Sequence, residues 1–480
     1  MDRRLLMDRS VPGRRSVSLP ALDVPETPLP DPELLRGDLP LPELSELEVV
    51  RYFTHLSQMN YGVDSGFYPL GSCTMKYNPK VNDEVAGLAG FALAHPLQPE
   101  EASQGALQLM YELQGFLAEI AGLHTASLAP LAGAHGELAG MQVIRAYQRH
   151  RGQGKRKVVI IPDSAHGTNP ASAAMCGYHV LAIPADQAGN LNLERLRQVL
   201  KDDVVALMIT LPSTLGLFDQ NIVEICRLVH EAGGLVYGDG ANLNALLGQV
   251  KLGDLGFDVV HMNLHKTFST PHGGGGPGAG PISLSRDLAP FAPTPIVVKQ
   301  GETYHLEVPE QTIGRIAAFH GNFGVLVRAY AYIRMLGADG LRNVSRDAVL
   351  HANYIQARLR DLYPLPYNRR CMHEVVFSAA KFRKQGVRAL DIAKRLIDYG
   401  FHPPTMYFPL VVDEALMVEP TETETKETVD SFIEAMRTIA KEAAEQPDVL
   451  HSAPHATPVG RLDEARAARH PDLHWTASSR

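Results

Sequence analysis

Between Val158 and Leu284 the chain repeatedly places a short apolar run before a stretch of helical spacing, and this alternation constrains the fold more than any single residue does. The strand-like runs are Val158 to Ile161, His179 to Ile183, Val204 to Leu211, Leu235 to Asp239, Val259 to Asn263 and Pro281 to Leu284. Helical patterns around Leu193 to Leu200 and Ile222 to Ala232 fall between them. Parallel neighbours need a crossover and a helix supplies one, so the pattern predicts an α/β fold with a mainly parallel sheet and helices on both faces. Open sheets of this kind bind ligands at the carboxyl ends of their strands.

One such end carries a lysine. Val259-Val260-His261-Met262-Asn263-Leu264-His265-Lys266 is followed by the glycine-rich Pro271-His272-Gly273-Gly274-Gly275-Gly276-Pro277-Gly278. A lysine beside a flexible loop is most often a solvated surface residue. At this place Lys266 is also able to hold pyridoxal 5'-phosphate as a Schiff base. A phosphate loop of the nucleotide-binding kind is excluded, because there the lysine follows the glycines and Lys266 precedes them.

Two further strand ends point to the same chemistry. Leu235-Val236-Tyr237-Gly238-Asp239-Gly240-Ala241-Asn242 closes on an aspartate. Asp239 alone reads equally as a helix cap or a metal ligand, but its interval from Lys266 favours a partner for the cofactor's ring nitrogen. Lys157 to Pro162 runs into Asp163-Ser164-Ala165-His166-Gly167-Thr168-Asn169-Pro170. There His166 is a candidate for stacking on the ring, and Thr168 or Asn169 for hydrogen bonds to cofactor or substrate; an exposed loop histidine is the plainer alternative.

Ala132-Gly133-Ala134-His135-Gly136-Glu137 opens a helical stretch through Met141, Ile144 and Tyr147. Bare amides at a helix start form an anion site, so Ala134, His135 and Gly136 are the candidates for the cofactor phosphate. Thr210-Leu211-Pro212-Ser213-Thr214 ends another strand; Ser213 is a candidate for the cofactor's ring hydroxyl or a substrate carboxylate, although Pro-Ser-Thr is also ordinary turn chemistry. Asn242 and His265, flanking Asp239 and Lys266, complete the set of candidate cofactor contacts.

These strings resemble glycine dehydrogenase (decarboxylating), the P-protein of the glycine cleavage system. The resemblance rests on Ala165-His166-Gly167-Thr168-Asn169-Pro170, Gly238-Asp239-Gly240-Ala241-Asn242 and Asn263-Leu264-His265-Lys266-Thr267-Phe268. It extends to Tyr68-Pro69-Leu70-Gly71-Ser72-Cys73-Thr74-Met75-Lys76, the Ala132 to Glu137 string and Val459-Gly460-Arg461-Leu462-Asp463-Glu464. With 480 residues the chain is similar to the cofactor-carrying second subunit of the split form.

The resemblance implies the aspartate-aminotransferase-like type I fold of pyridoxal-phosphate enzymes, with a seven-stranded-type sheet. It implies catalytic roles for Lys266, His166 and Asp239, and decarboxylation of glycine with transfer of the aminomethyl group to the lipoyl arm of the H-protein. It also implies a partner, subunit 1 of the P-protein, in an α2β2 heterotetramer. The compartment implied is the bacterial cytoplasm, or the mitochondrial matrix for a eukaryotic source.

Texture divides the chain further. Residues 1–100 read as an extended arm, because Pro25, Pro28, Pro30, Pro32, Pro40 and Pro42 forbid an early long helix. Residues 101–330 read as the large cofactor-binding domain, entered by a helix between Glu101 and Leu123. Residues 331–450 read as a smaller α+β domain, with strand-like patterns from Glu374 to Ser378 and Val411 to Val412, and 451–480 as an irregular tail.

A net charge of -8, spread rather than blocked, carries no nucleic-acid signature. No run approaches the roughly twenty apolar residues that span a bilayer. Asp2 and Asp8 argue against a transit peptide. Cys73, Cys176, Cys226 and Cys371 lie too far apart for a zinc-ligand spacing, so no metal is expected and a reducing compartment is. Two other functions fit part of the pattern. A stand-alone amino-acid decarboxylase shares the His-Lys anchor but needs no lipoyl carrier; a non-enzymatic supporting subunit predicts loss of the lysine, which is present.

Overall fold

The computed structural model describes residues 4–37, 39, 41–273 and 276–474. Gly274 and Gly275 of the glycine-rich segment, Pro40, the start Met1-Asp2-Arg3 and the last residues 475–480 lie outside the described residues.

The chain divides into two compact units, Met1–Gly66 and Phe67–Arg480. In the first, prolines keep most of the backbone out of regular helix, but Glu46–Gln58 forms a 13-residue helix. It starts where the prolines stop, because Ser45 and Glu48 make a reciprocal capping box. Leu44 is buried, whereas Leu19, Leu29, Leu41 and Phe53 are exposed.

The second unit is built on a sheet of β1 (Thr125–Ser127), β2 (Val158–Pro162), β3 (His179–Ile183), β4 (Val204–Thr210), β5 (Leu235–Gly240), β6 (Val259–Met262) and β7 (Ile282–Leu284). Their order is β1-β7-β6-β5-β4-β2-β3. Strands β2 to β6 pair in parallel, while β7 runs antiparallel to both β6 and β1. A hairpin of β8 (Ile296–Gln300) and β9 (Thr303–Glu307) follows.

Alternation of side chains along the strands divides the core into two layers. Ile160, Leu207, Ile209, Val236, Val260 and Met262 pack with Leu113 and Leu117 of the helix Gln104–Ala121 and Ile225 and Val229 of Ile222–Glu231. Val159, Ile161, Met208, Tyr237 and Val259 pack with Met141 and Ile144 of the helix Gly133–His150. The helix Gln104–Ala121 ends because Gly122 takes φ 72°, the left-handed conformation that glycine adopts without steric cost.

A helical segment, Phe323–Leu359, is interrupted at Gly337, where φ is 61° and ψ -173°. Beyond it, β10 (Val375–Ser378), β11 (Thr405–Met406) and β12 (Ala415–Val418) form a three-stranded antiparallel sheet. Leu416 and Val418 share a core with Ile392 and Leu396 of the helix Ala389–Asp398 and Phe432 and Met436 of Lys426–Glu445. Val411 and Val412 are not a strand: the Val412 amide donates to the Pro409 oxygen at 3.0 Å, closing a turn after the proline.

The last described segment is not wholly irregular. It contains the helix Glu464–Arg469, and Arg461 donates to Asp391 and to the Leu450 oxygen, each at 2.7 Å. Among the described residues no helix is long and apolar enough to cross a membrane.

Candidate active site

The register of three adjacent parallel strands lines up the central polar groups. Thr210 of β4 pairs with Asp239 of β5, and Asp239 pairs with His261 of β6. All three are buried at the carboxyl ends of their strands. Asn169 Nδ2 donates to Asp239 Oδ2 at 3.1 Å, Thr210 Oγ1 to the same oxygen at 3.3 Å, and the Ala241 amide to Oδ1 at 2.9 Å.

Burial pushes the Asp239 carboxyl up, but His261, the Ala241 and Asn169 hydrogen bonds and the Lys266 charge outweigh it and hold the pKa below the ordinary carboxylate value. His261 itself is lowered by burial, so at neutral pH its imidazole is uncharged. The fixed N–H donors of Ala241 and Asn169 and the Lys266 charge add to the pull of His261 that holds Asp239 ionised. His261 is oriented by Tyr237, whose hydroxyl lies 2.7 Å from its Nδ1.

Lys266 sits in the short helix Leu264–Thr267 immediately beyond β6, half-buried. Its Nζ donates to the Ser72 backbone oxygen at 2.6 Å. Ser72 and Thr74 take φ of 59° and 46°, a conformation that side chains other than glycine's seldom adopt. Two buried carboxylates hold that segment. Glu374 accepts from the Ser72 amide at 2.7 Å, and Glu419 from the Cys73 and Thr74 amides at 3.1 and 2.9 Å.

His373, Glu374 and Glu419 bring ligand-capable atoms within 4.8 Å of one another, yet both carboxylates are already engaged by these amides. Burial, with the nearby Glu419 charge, pushes Glu374 well above the ordinary range. Below this segment Lys76 is enclosed, its Nζ donating to Glu422 at 2.7 Å, Asn244 at 2.8 Å and the Thr267 oxygen at 2.9 Å.

His166 is exposed on the loop after β2, its ring 5.9 Å from that of Phe408 in an edge-on arrangement. The protein around it lowers its pKa; the Asp239 charge opposes that shift and Lys266 adds to it. Thr168 Oγ1 is 2.8 Å from His166 Nδ1 and donates to Glu137 Oε1 at 2.8 Å. Thus Lys266, Asp239, His166 and Thr168 fall into one electrostatically connected group.

Ala134, His135 and Gly136 lie in the first turn of Gly133–His150. The amides of Gly133, Ala134 and His135 precede any intrahelical acceptor, while that of Gly136 donates to the Ala132 oxygen at 2.9 Å. This turn is tightly seated: a Cβ on Gly136 would lie 2.5 Å from the Gly280 oxygen, and one on Gly133 2.5 Å from Asn263 Oδ1.

The other candidates are engaged in the surrounding loops. Asn242 Nδ2 donates to the Pro212 oxygen at 3.0 Å, tying the end of β5 to the loop after β4. Ser213 Oγ accepts from the Leu215 amide at 3.3 Å. His265 Nδ1 accepts from the Ala279 amide at 3.4 Å and its ring meets His272 edge-on at 5.2 Å. Burial lowers His265 to about 3 and His272 to about 4, so both are neutral at pH 7.

These residues fit a phosphorylated pyridine aldehyde. The ionised, buried Asp239 calls for a positive partner, the helix start offers amides to an anion, and Lys266 offers an amine. The fully buried hydroxyls of Thr267 and Thr270, just after that lysine in the chain, have no hydrogen-bond partner among the described residues.

Sequence reading did not assign roles to Glu137, His261, Glu374, Glu419 or Lys76. A signal existed for the carboxylates, since Glu374 and Glu419 flank the apolar strands β10 and β12, where an unpaired charge is costly. Nothing local connects them to Ser72, which is hundreds of residues away in sequence.

Comparison with known proteins adds to this geometry. A family model described as the glycine dehydrogenase C-terminal domain matches residues 344–455. The probable glycine dehydrogenase (decarboxylating) subunit 2 of Caldanaerobacter subterraneus subsp. tengcongensis is 57% identical over 477 residues, covering 98% of each chain. Its counterpart from Desulforamulus reducens is 56% identical over 481 residues, covering 99% of each.

Among solved structures, the glycine decarboxylase (P-protein) of the glycine cleavage system in inhibitor-bound form aligns with a TM-score of 0.72 at 21% identity, covering 85% of this chain and 93% of that one. A cysteine desulfurase from Thermococcus onnurineus NA1 aligns at 0.61 with 17% identity, covering 79% and 95%. These structural likenesses show the fold, the type I architecture of pyridoxal-phosphate enzymes.

Proposed function

Because the chain belongs to the glycine dehydrogenase (decarboxylating) subunit 2 family, we propose that it decarboxylates glycine and passes the aminomethyl group to the lipoyl arm of the H-protein, releasing carbon dioxide. The observation that carries this reading is the near full-length identity of 57% to a relative of that name. The electron pair left by the departing carbon dioxide balances reduction of the lipoyl disulfide: one sulfur takes the aminomethyl carbon and the other a proton.

Pyridoxal 5'-phosphate is the cofactor this site supports. Lys266 would hold it through Nζ, Asp239 would face its ring nitrogen, His166 its ring face, and the first turn at Ala134, His135 and Gly136 its phosphate. Thr168, Ser213, Asn242 and His265 complete the proposed surround. When bound, the cofactor supplies a sink for the electrons released at the substrate carbon.

The chain's own groups do the rest. Asp239 keeps a negative charge at one fixed place, because its hydrogen-bond donors are held before any substrate arrives. Ser72 O accepts a hydrogen bond from the Lys266 amine whenever that amine is free. Neutral His265 and His272 pack beside the lysine without adding charge that would compete with it.

The subunit name of the relatives supports a partner subunit 1, and an α2β2 assembly is the arrangement proposed for the two. Their bacterial sources support the bacterial cytoplasm. The test is exchange of labelled bicarbonate into the glycine carboxyl group by this chain, its partner subunit and lipoylated H-protein, each omitted in turn. Exchange that requires all three is expected. Carbon dioxide release from another amino acid without the carrier would instead make the chain a stand-alone decarboxylase.

A further inference from the structure

We propose that Glu137 is a positioning residue for His166: through the Thr168 hydroxyl it sets how firmly the imidazole is gripped at Nδ1, the nitrogen that the Thr168 amide makes the acceptor, so that His166 faces the cleft with its proton on Nε2, as a hydrogen-bond donor and not as a base. This assignment deepens the function proposed above and rests on His166 belonging to that site.

The tautomer follows from one contact that has a single possible sense. A backbone N–H only donates, and the Thr168 amide lies 3.3 Å from His166 Nδ1. Nδ1 is therefore the acceptor, and a neutral imidazole with Nδ1 as acceptor carries its proton on Nε2. The ring is neutral at pH 7 because the surrounding protein lowers its pKa.

Glu137 controls the second donor to the same nitrogen. It lies in the first turns of Gly133–His150, buried, with Oε1 2.8 Å from Thr168 Oγ1 and Oε2 3.5 Å from Ser172 Oγ. Burial first, then the Asp239 charge, push its pKa up to about 8, while Thr168, Lys266 and Ser172 pull it down. Asp239 and Tyr237 on β5, Lys266 beyond β6 and the neutral His166 are the titratable groups that face this chain of contacts.

With its proton on, the Glu137 carboxyl donates to Thr168 Oγ1, and the Thr168 hydroxyl is free to donate to His166 Nδ1, 2.8 Å away. With the proton off, the hydroxyl turns to the carboxylate and Nδ1 keeps the backbone N–H alone. The glutamate thus sets how firmly the imidazole is gripped, and it does so without touching the cleft.

The experiment is ring-nitrogen NMR of the full chain with labelled histidines, His166 being assigned by His166→Gln, titrated from about pH 7 to about pH 10. The wild type should show unprotonated Nδ1 throughout and a small change in its shift with a midpoint near 8. Glu137→Gln, whose amide still donates, should keep unprotonated Nδ1 and lose the midpoint. Thr168→Val should lose it too, and Thr168→Ser should restore it.

A protonated Nδ1 in the wild type, or a midpoint that survives in Glu137→Gln, overturns the proposal. Should Thr168→Val fail to fold, Glu137→Gln and Thr168→Ser decide the matter. The readout requires neither cofactor nor carbon dioxide release. Failure of the glycine reaction would therefore leave this result intact, and a wrong tautomer would leave the glycine reaction intact.

Discussion

Lys266 Nζ and the Ser72 backbone oxygen are 2.6 Å apart, although their residues come from distant parts of the chain. That oxygen belongs to a left-handed turn whose amides are held by Glu374 and Glu419. The lysine's surroundings are therefore assembled from three separate stretches of sequence. Lys266→Ala should abolish the visible absorbance of bound cofactor and any borohydride-trapped adduct at this position. A trapped adduct that persists would place the anchor on another amine.

Asp239 is the charge on which the proposed electron sink depends. Asp239→Asn keeps the shape and much of the hydrogen bonding but carries no fixed negative charge. We expect it to retain bound cofactor and to lose about a hundredfold or more in the bicarbonate exchange rate, the scale of a lost preorganised electrostatic contact. Exchange within a fewfold of wild type would remove Asp239 from that role.

Glu137 makes a prediction about stability as well. Its folded pKa, about 8, is raised above that of an exposed carboxyl. Its contribution is thus most favourable below the unfolded value near 4.5 and is lost as pH rises to 8. The Tm advantage of Glu137→Gln over wild type should widen between these limits and stay constant above them. A gap independent of pH would contradict the raised value.

Lys76 and Glu422 form a pair whose side chains are 1% and 8% exposed. Removing one partner strands the other charge out of water. Lys76→Ala should therefore cost about 3–5 kcal/mol in urea unfolding, and the double variant Lys76→Met, Glu422→Leu should recover most of it. Equal losses in the single and double variants would mean that packing, not charge, sets the cost.

Gly280 approaches the start of Gly133–His150 so closely that a Cβ there would lie 1.9 Å from the Ala132 oxygen. Gly280→Ala should destabilise the chain by about 1–3 kcal/mol and displace the first helical turn. Spectrophotometric titration should then show weaker binding of pyridoxal 5'-phosphate. Unchanged affinity would move the phosphate away from Ala134, His135 and Gly136.

The alternating runs made the central sheet readable, since Val204 to Ile209 and Leu235 to Gly238 have no charged residue to interrupt a strand buried on both sides. Lys266, Asp239 and His166 were readable because each stands at the end of such a run. What escaped was whatever depends on distance in sequence. Asn169 serves Asp239, and Glu374 serves Ser72, yet neither relation leaves a local periodicity. Val411 and Val412 failed for the opposite reason: two β-branched residues suggested a strand, but Pro409 closes a turn there.

Thr210, Asp239 and His261 occupy one row across three strands, and this alignment acts as a molecular ruler. Removing a single residue within β5 would turn the carboxylate to the opposite layer of the core, because successive side chains alternate between faces. Adding residues to the loops beyond the row would leave it undisturbed. Changes in loop length are thereby tolerated, while the spacing of these three polar groups is written into the register of the strands.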